Sequence, residues 1–102
     1  MTDRELLEMA AKAAGYTIRL MDREGRTADI GPNRAMWEPL DDDGDALRLA
    51  VALRMQLDIL DRSVYAFGMN GAKVSELDRA DIGAATRRAI VRAAAEIGRA
   101  MP

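Results

Sequence analysis

The stretch "WEPLDDDGDALRLAVALR", residues 37–54, decides how this chain is read. Glu38 and four aspartates, Asp41, Asp42, Asp43 and Asp45, crowd around Gly44, and an aliphatic run follows. Leu47, Leu49, Val51, Leu53 and Met55 alternate with Arg48, Ala50, Ala52 and Arg54, which suits a strand. Ala and Leu are strong helix formers, however, and carboxylates ahead of a helix meet its unpaired N–H groups and the positive end of its dipole. The acids account for a helix start and for nothing about a strand. Residues 45–55 are therefore expected to be helical, with Asp41 or Asp43 as the N-cap. Being apolar almost all round, this helix is expected to be largely buried.

The same acids invite a metal reading, and their spacing rejects it. In a calcium loop of the EF-hand type with Gly44 at the sixth position, Asp43 and Asp41 fall on the fifth and third. The first position is then Pro39 and the twelfth Ala50, neither of which has a side-chain oxygen. No metal and no cofactor is expected. A cap needs fewer than four aspartates, so a partner-binding acidic patch is expected here, made of Asp41, Asp42, Asp43 and Asp45 with Trp37 and Glu38 beside them. The simplest role for the Trp37 indole is burial against the helix. Exposed, it would instead be a binding anchor.

Outward from this stretch, the rest of the chain resolves into short elements. Thr2 or Asp3 can cap a helix over 3–14 that carries Leu6, Leu7, Ala10, Ala11 and Ala14 on one stripe and stops at Gly15. "YTIRLM" alternates as a strand, "DREG" is a turn, "RTADI" returns, and "AMWEP" is a third, edge-like segment ending at Pro39. After the middle helix, "QLDIL", "DRS" and "VYAFG" read as a second hairpin, and "AKVSEL" adds a strand beyond the Asn70–Gly71 turn. Asp81 caps a last helix whose apolar stripe is Ile82, Ala85, Ala89, Ile90, Ala93, Ala94, Ile97 and Met101. The expected fold is a single α+β domain over 1–102: three helices with two antiparallel β-hairpins, in the order αββ(β)αββ(β)α.

Composition removes several function classes. The chain of 102 residues has no cysteine and no histidine. Thiolate nucleophiles, disulfides, cysteine-held metal centres and the usual general base near neutral pH are thus excluded. Ser63 and Ser75 lack a histidine to activate them, and "GMNGAK" lacks the spacing of a phosphate loop. An enzyme is not expected. A net charge of −2 gives no broad basic face, so nucleic acid is not the favoured partner. Arg88, Arg92 and Arg99 on the last helix form the alternative, a basic face for phosphates, with no aromatic side chain interleaved. The charged N-terminus has no signal-peptide pattern, and no run reaches the ~20 apolar residues that span a bilayer. A cytoplasmic protein without membrane contact is expected.

Three blocks, "ELLEMAAKAAGY", "WEPLDDDGDALRLAVALR" and "ATRRAIVRAAAEIGRAMP", resemble a family of small proteins of unknown function from temperate phages and prophages of proteobacteria. Its members often carry Asn between the Trp and the Pro, where this chain has Glu38. The resemblance brings no catalytic or ligand residues. It implies an accessory product acting in the host bacterial cytoplasm, with a host protein as partner. The leading expectation is a non-catalytic protein binder that inhibits a host defence system, of the anti-CRISPR type. The alternative is a nucleic-acid-associated regulatory module using the basic face, and self-association as a homodimer is left open.

Overall fold

A computed structural model describes residues 2–19, 27–30 and 33–102. The fold is α+β, with three helices among the described residues, as the sequence implies. Helix α1 spans Asp3–Ala14, α2 Asp43–Ala52 and α3 Ile82–Arg99. Strands β1 (Thr17–Arg19), β2 (Thr27–Ile30) and β3 (Asn33–Met36) lie between α1 and α2. Strands β4 (Gln56–Ile59), β5 (Ser63–Phe67) and β6 (Lys73–Leu77) lie between α2 and α3. Where two hairpins with an optional extra strand were expected, each group forms a three-stranded antiparallel sheet in sequence order. In the first, Ile18 opposes Ala28 and Ala28 opposes Ala35. In the second, Asp58 opposes Tyr65 and Tyr65 opposes Ser75. The expected "DREG" turn lies outside the described residues.

Local chemistry sets each helix boundary. Thr2 caps α1 in a reciprocal box: its hydroxyl accepts the Glu5 amide at 3.2 Å, and its own amide donates to Glu5 Oε1 at 3.2 Å. Gly15, at φ 77°, closes the helix, and Tyr16 N–H bonds back to Ala11 O at 2.8 Å. The N-cap of α2 is Asp42, between the two expected candidates; its carboxylate accepts the Asp45 amide at 2.8 Å. Helix α2 stops at Ala52, earlier than expected, in a Schellman arrangement. Met55 N–H reaches Ala50 O, Arg54 N–H reaches Val51 O, and Arg54 takes the left-handed conformation at φ 51°. Asp81 caps α3 as expected, accepting the Ala84 amide at 2.9 Å.

Helix α3 is the central element and divides the core into two clusters. Its Ile90, Val91, Ala94 and Ala95 pack with Leu6, Ala10 and Ala11 of α1, Ala46, Leu49 and Ala50 of α2, and Trp37. Its Ala85, Ala89 and Ala93 pack on Val64, Ala66 and Val74 of the second sheet. Met55 and Leu57 touch both clusters. Small residues let α1 and α3 approach closely. At Gly98 a Cβ would stand 1.9 Å from the backbone oxygen of Met9, so any side chain there would drive the helices apart. Val91, Ala95 and Gly98 join the buried face, whereas Ile82 and Met101 from the expected stripe remain exposed.

Candidate functional site

The acid cluster is built into the fold. Asp45 is buried, and its carboxylate bridges two elements: Oδ2 accepts the Glu38 amide at 2.9 Å, and Oδ1 accepts Arg48 Nη2 at 2.7 Å. That charge-assisted bond holds the Arg48 guanidinium above its ordinary pKa, with the nearby Asp42 charge adding to it. The Glu38 carbonyl accepts the amides of Asp41 and Asp42 at 2.9 and 2.7 Å, so the loop winds into α2 around one backbone oxygen. Asp43 pairs with Arg87 of α3 at 2.6 Å, and Arg87 Nε also donates to Leu40 O at 2.9 Å. Thus Asp42 caps, Asp45 clips the preceding loop, and Asp43 ties α2 to α3.

Two members of the expected contact patch are therefore not on the surface. Trp37 is only 2% exposed and meets Tyr16 edge to face, with ring centroids 5.6 Å apart. Asp45 is buried under the loop that it clips. Glu38 is half-buried, while Asp41, Asp42 and Asp43 are exposed and remain as an acidic rim.

The basic face is engaged within the chain. Arg88 pairs with Asp3 of α1 at 3.0 Å, and Arg99 pairs with Glu96 at 2.8 Å. Arg92 pairs with Glu76 of β6 and donates to Ser75 O at 2.9 Å. The three arginines, Glu96, Leu6 and Val74 line a cleft of about 240 Å³. Each guanidinium there already faces a carboxylate, so the cleft is close to neutral. Among the described residues, no group of acids is placed to hold a metal ion, and no helix is long and apolar enough to cross a membrane.

The surface that sequence reasoning missed is apolar. Helix α2 is not buried all round: Leu47 is 58% exposed and Val51, one turn on, 67%. Leu47 stands on one wall of a groove of about 340 Å³. Leu57 and Ile59 of β4 form a second wall, and Ile82, Thr86 and Ile90 of α3 form the third. Ile59 is 58% exposed and Leu60 follows it into solvent. Among the described residues, the charged groups of the lining are Asp43 and Arg87, which pair with each other. One signal was available in the sequence: Leu47, Leu49, Val51 and Leu53 cannot all point into one core from a single helix. Half of such a ring of leucines and valines must face outward or meet another body.

Comparison with known protein families, with curated proteins and with solved structures finds no match to this chain.

Proposed function

We propose that the chain is a non-catalytic protein-binding module whose recognition surface is the apolar groove between α2, β4 and α3. The observation that carries this reading is the grouping of Leu47, Ile59 and Ile82, all solvent-exposed, around one concave, apolar lining. Exposed apolar side chains scattered singly are ordinary, but a contiguous set beside a concavity marks a contact surface. The groove ends at the acidic start of α2. Among the described residues, Asp42, Asp43 and Asp45 are met there by two guanidiniums, those of Arg48 and Arg87. The occupant that this charge favours is a segment of another protein with apolar side chains for the groove and a basic flank for the rim.

The resemblance to small phage proteins makes a host bacterial protein the partner to seek, and inhibition of a defence system its outcome. The arginine face supports nucleic-acid binding less well, because Arg88, Arg92 and Arg99 each face a carboxylate of this chain. Affinity capture from bacterial lysate with parallel variants tests the proposal. A partner retained by the parent chain and by Arg99→Ala, and lost by Leu47→Glu and Ile59→Glu, is the expected result. Equal retention by all four proteins would remove the groove from consideration.

A further inference from the structure

The groove shares a boundary with an open sheet edge. Among the described residues β4 pairs with β5 alone, which makes it an edge strand. The hairpin phase fixes which of its backbone groups are left over. Leu60 N–H donates to Ser63 O at 2.8 Å, so the hydrogen-bonded pairs alternate from there to Asp58–Tyr65 and Gln56–Phe67. The N–H and C=O of Leu57 and Ile59 therefore point away from β5, along the free edge. Leu57 and Ile59 are also the β4 residues whose side chains line the groove. The unpaired main chain and the apolar wall thus belong to the same two residues.

We infer that the partner binds by adding a strand to β4: an extended segment pairs with Leu57 and Ile59, and its alternate apolar side chains enter the groove. This rests on the groove being the recognition surface. Strand addition draws affinity from main-chain hydrogen bonds and specificity from pockets for every second side chain, and this edge offers both. An amphipathic helix lying in the groove would leave the Leu57 and Ile59 backbone groups unused. Charge disfavours a second copy in the register that matches these two residues to each other. Pairing β4 with itself so that Leu57 opposes Ile59 sets Asp58 against Asp58, and like charges directly opposite are unfavourable. A basic residue in the incoming strand meets Asp58 from the edge or the carboxylates of the rim from the groove end.

A phage-displayed library of random twelve-residue peptides, panned against the full chain, tests this. The expected selection is peptides with apolar residues at every second position and Lys or Arg nearby. Their binding is at least tenfold weaker to Ile59→Glu, and N-methylation of alternate peptide amides abolishes it. Amide exchange at Leu57 and Ile59 then slows on binding. Selected peptides with apolar residues at three- and four-residue spacing, or binding that leaves those two amides unchanged, would overturn strand addition while keeping the groove as the surface. No selection dependent on Leu47 and Ile59 would overturn both. A dimer that protects the same two amides without peptide would assign the edge to a second copy and overturn the foreign-strand reading.

Discussion

Asp45 and Glu38 are joined across the entrance to α2: the Glu38 amide donates to Asp45 Oδ2 at 2.9 Å while Asp45 Oδ1 holds Arg48. One buried carboxylate thus fixes the path of the chain between Trp37, in the core, and the helix that follows. Hydrogen bonds to a charged group contribute about 1.5–3 kcal/mol, and loss of the acceptor leaves a part-buried amide unsatisfied. Asp45→Ala is expected to destabilise the fold by about 2–3 kcal/mol in urea unfolding. Asp43→Ala removes an exposed carboxylate from Arg87, which is only 19% exposed but keeps its bond to Leu40 O, and the expected effect is about 1 kcal/mol. Equal losses for the two would refute the division of labour among the aspartates.

The α1–α3 crossing makes an inverted prediction. Gly→Ala in an exposed helix interior gains about 1 kcal/mol from propensity. Gly98 lies in α3 with no room for a Cβ, because Met9 O would be 1.9 Å away. Gly98→Ala is expected to cost about 1–3 kcal/mol, through forced separation of the helices. A stabilised variant in thermal unfolding would show that the crossing is looser than described.

Arg54 stands where helix ends favour glycine. Its φ of 51° is the left-handed region, which costs a residue with a Cβ about 1–2 kcal/mol. Arg54→Gly removes that strain but adds chain entropy to the unfolded state, which takes back about 0.4–1 kcal/mol. The expected net gain is ~0.5 kcal/mol, read as a rise in urea midpoint with an unchanged slope. A loss would mean that the Arg54 side chain makes a stabilising contact.

Acid acts on the first helix through its capping box. The Thr2 amide, and next the Thr2 hydroxyl, hold the Glu5 carboxyl below its ordinary pKa of 4.5. A carboxyl depressed in the folded state stabilises it fully above the unfolded value, and the gain disappears as pH falls through the folded value. Stability is therefore expected to start falling below about pH 4.5, and Glu5→Gln to flatten that part of the profile. An identical acid profile for Glu5→Gln would assign the loss to other carboxylates.

Helices α1 and α3 were legible because both carry cap signals in register with an apolar stripe: Thr2 with Glu5 and Gly15 for one, Asp81 for the other. The end of α2 was not, because Arg54 occupies the position where a glycine would have announced the stop. The extra aspartates looked like a surface because nothing in the sequence shows that Asp45 reaches back to Glu38, or that Asp43 meets Arg87 from α3. The arginine face looked open for the same reason: the partners Asp3 and Glu76 come from other elements, α1 and β6, which only the fold brings against α3. The groove was hidden because its walls come from three separate elements, and only tertiary packing brings Leu47, Ile59 and Ile82 together.

The central claim is that recognition uses the groove of α2, β4 and α3. Its most direct test is a residue-by-residue map of amide chemical shifts as a library-selected peptide is titrated into the full chain. The predicted map has its largest changes at Leu47, Leu57, Ile59 and Ile82, with Arg88, Arg92 and Arg99 unmoved. Changes centred on those arginines, with the groove residues silent, would contradict it.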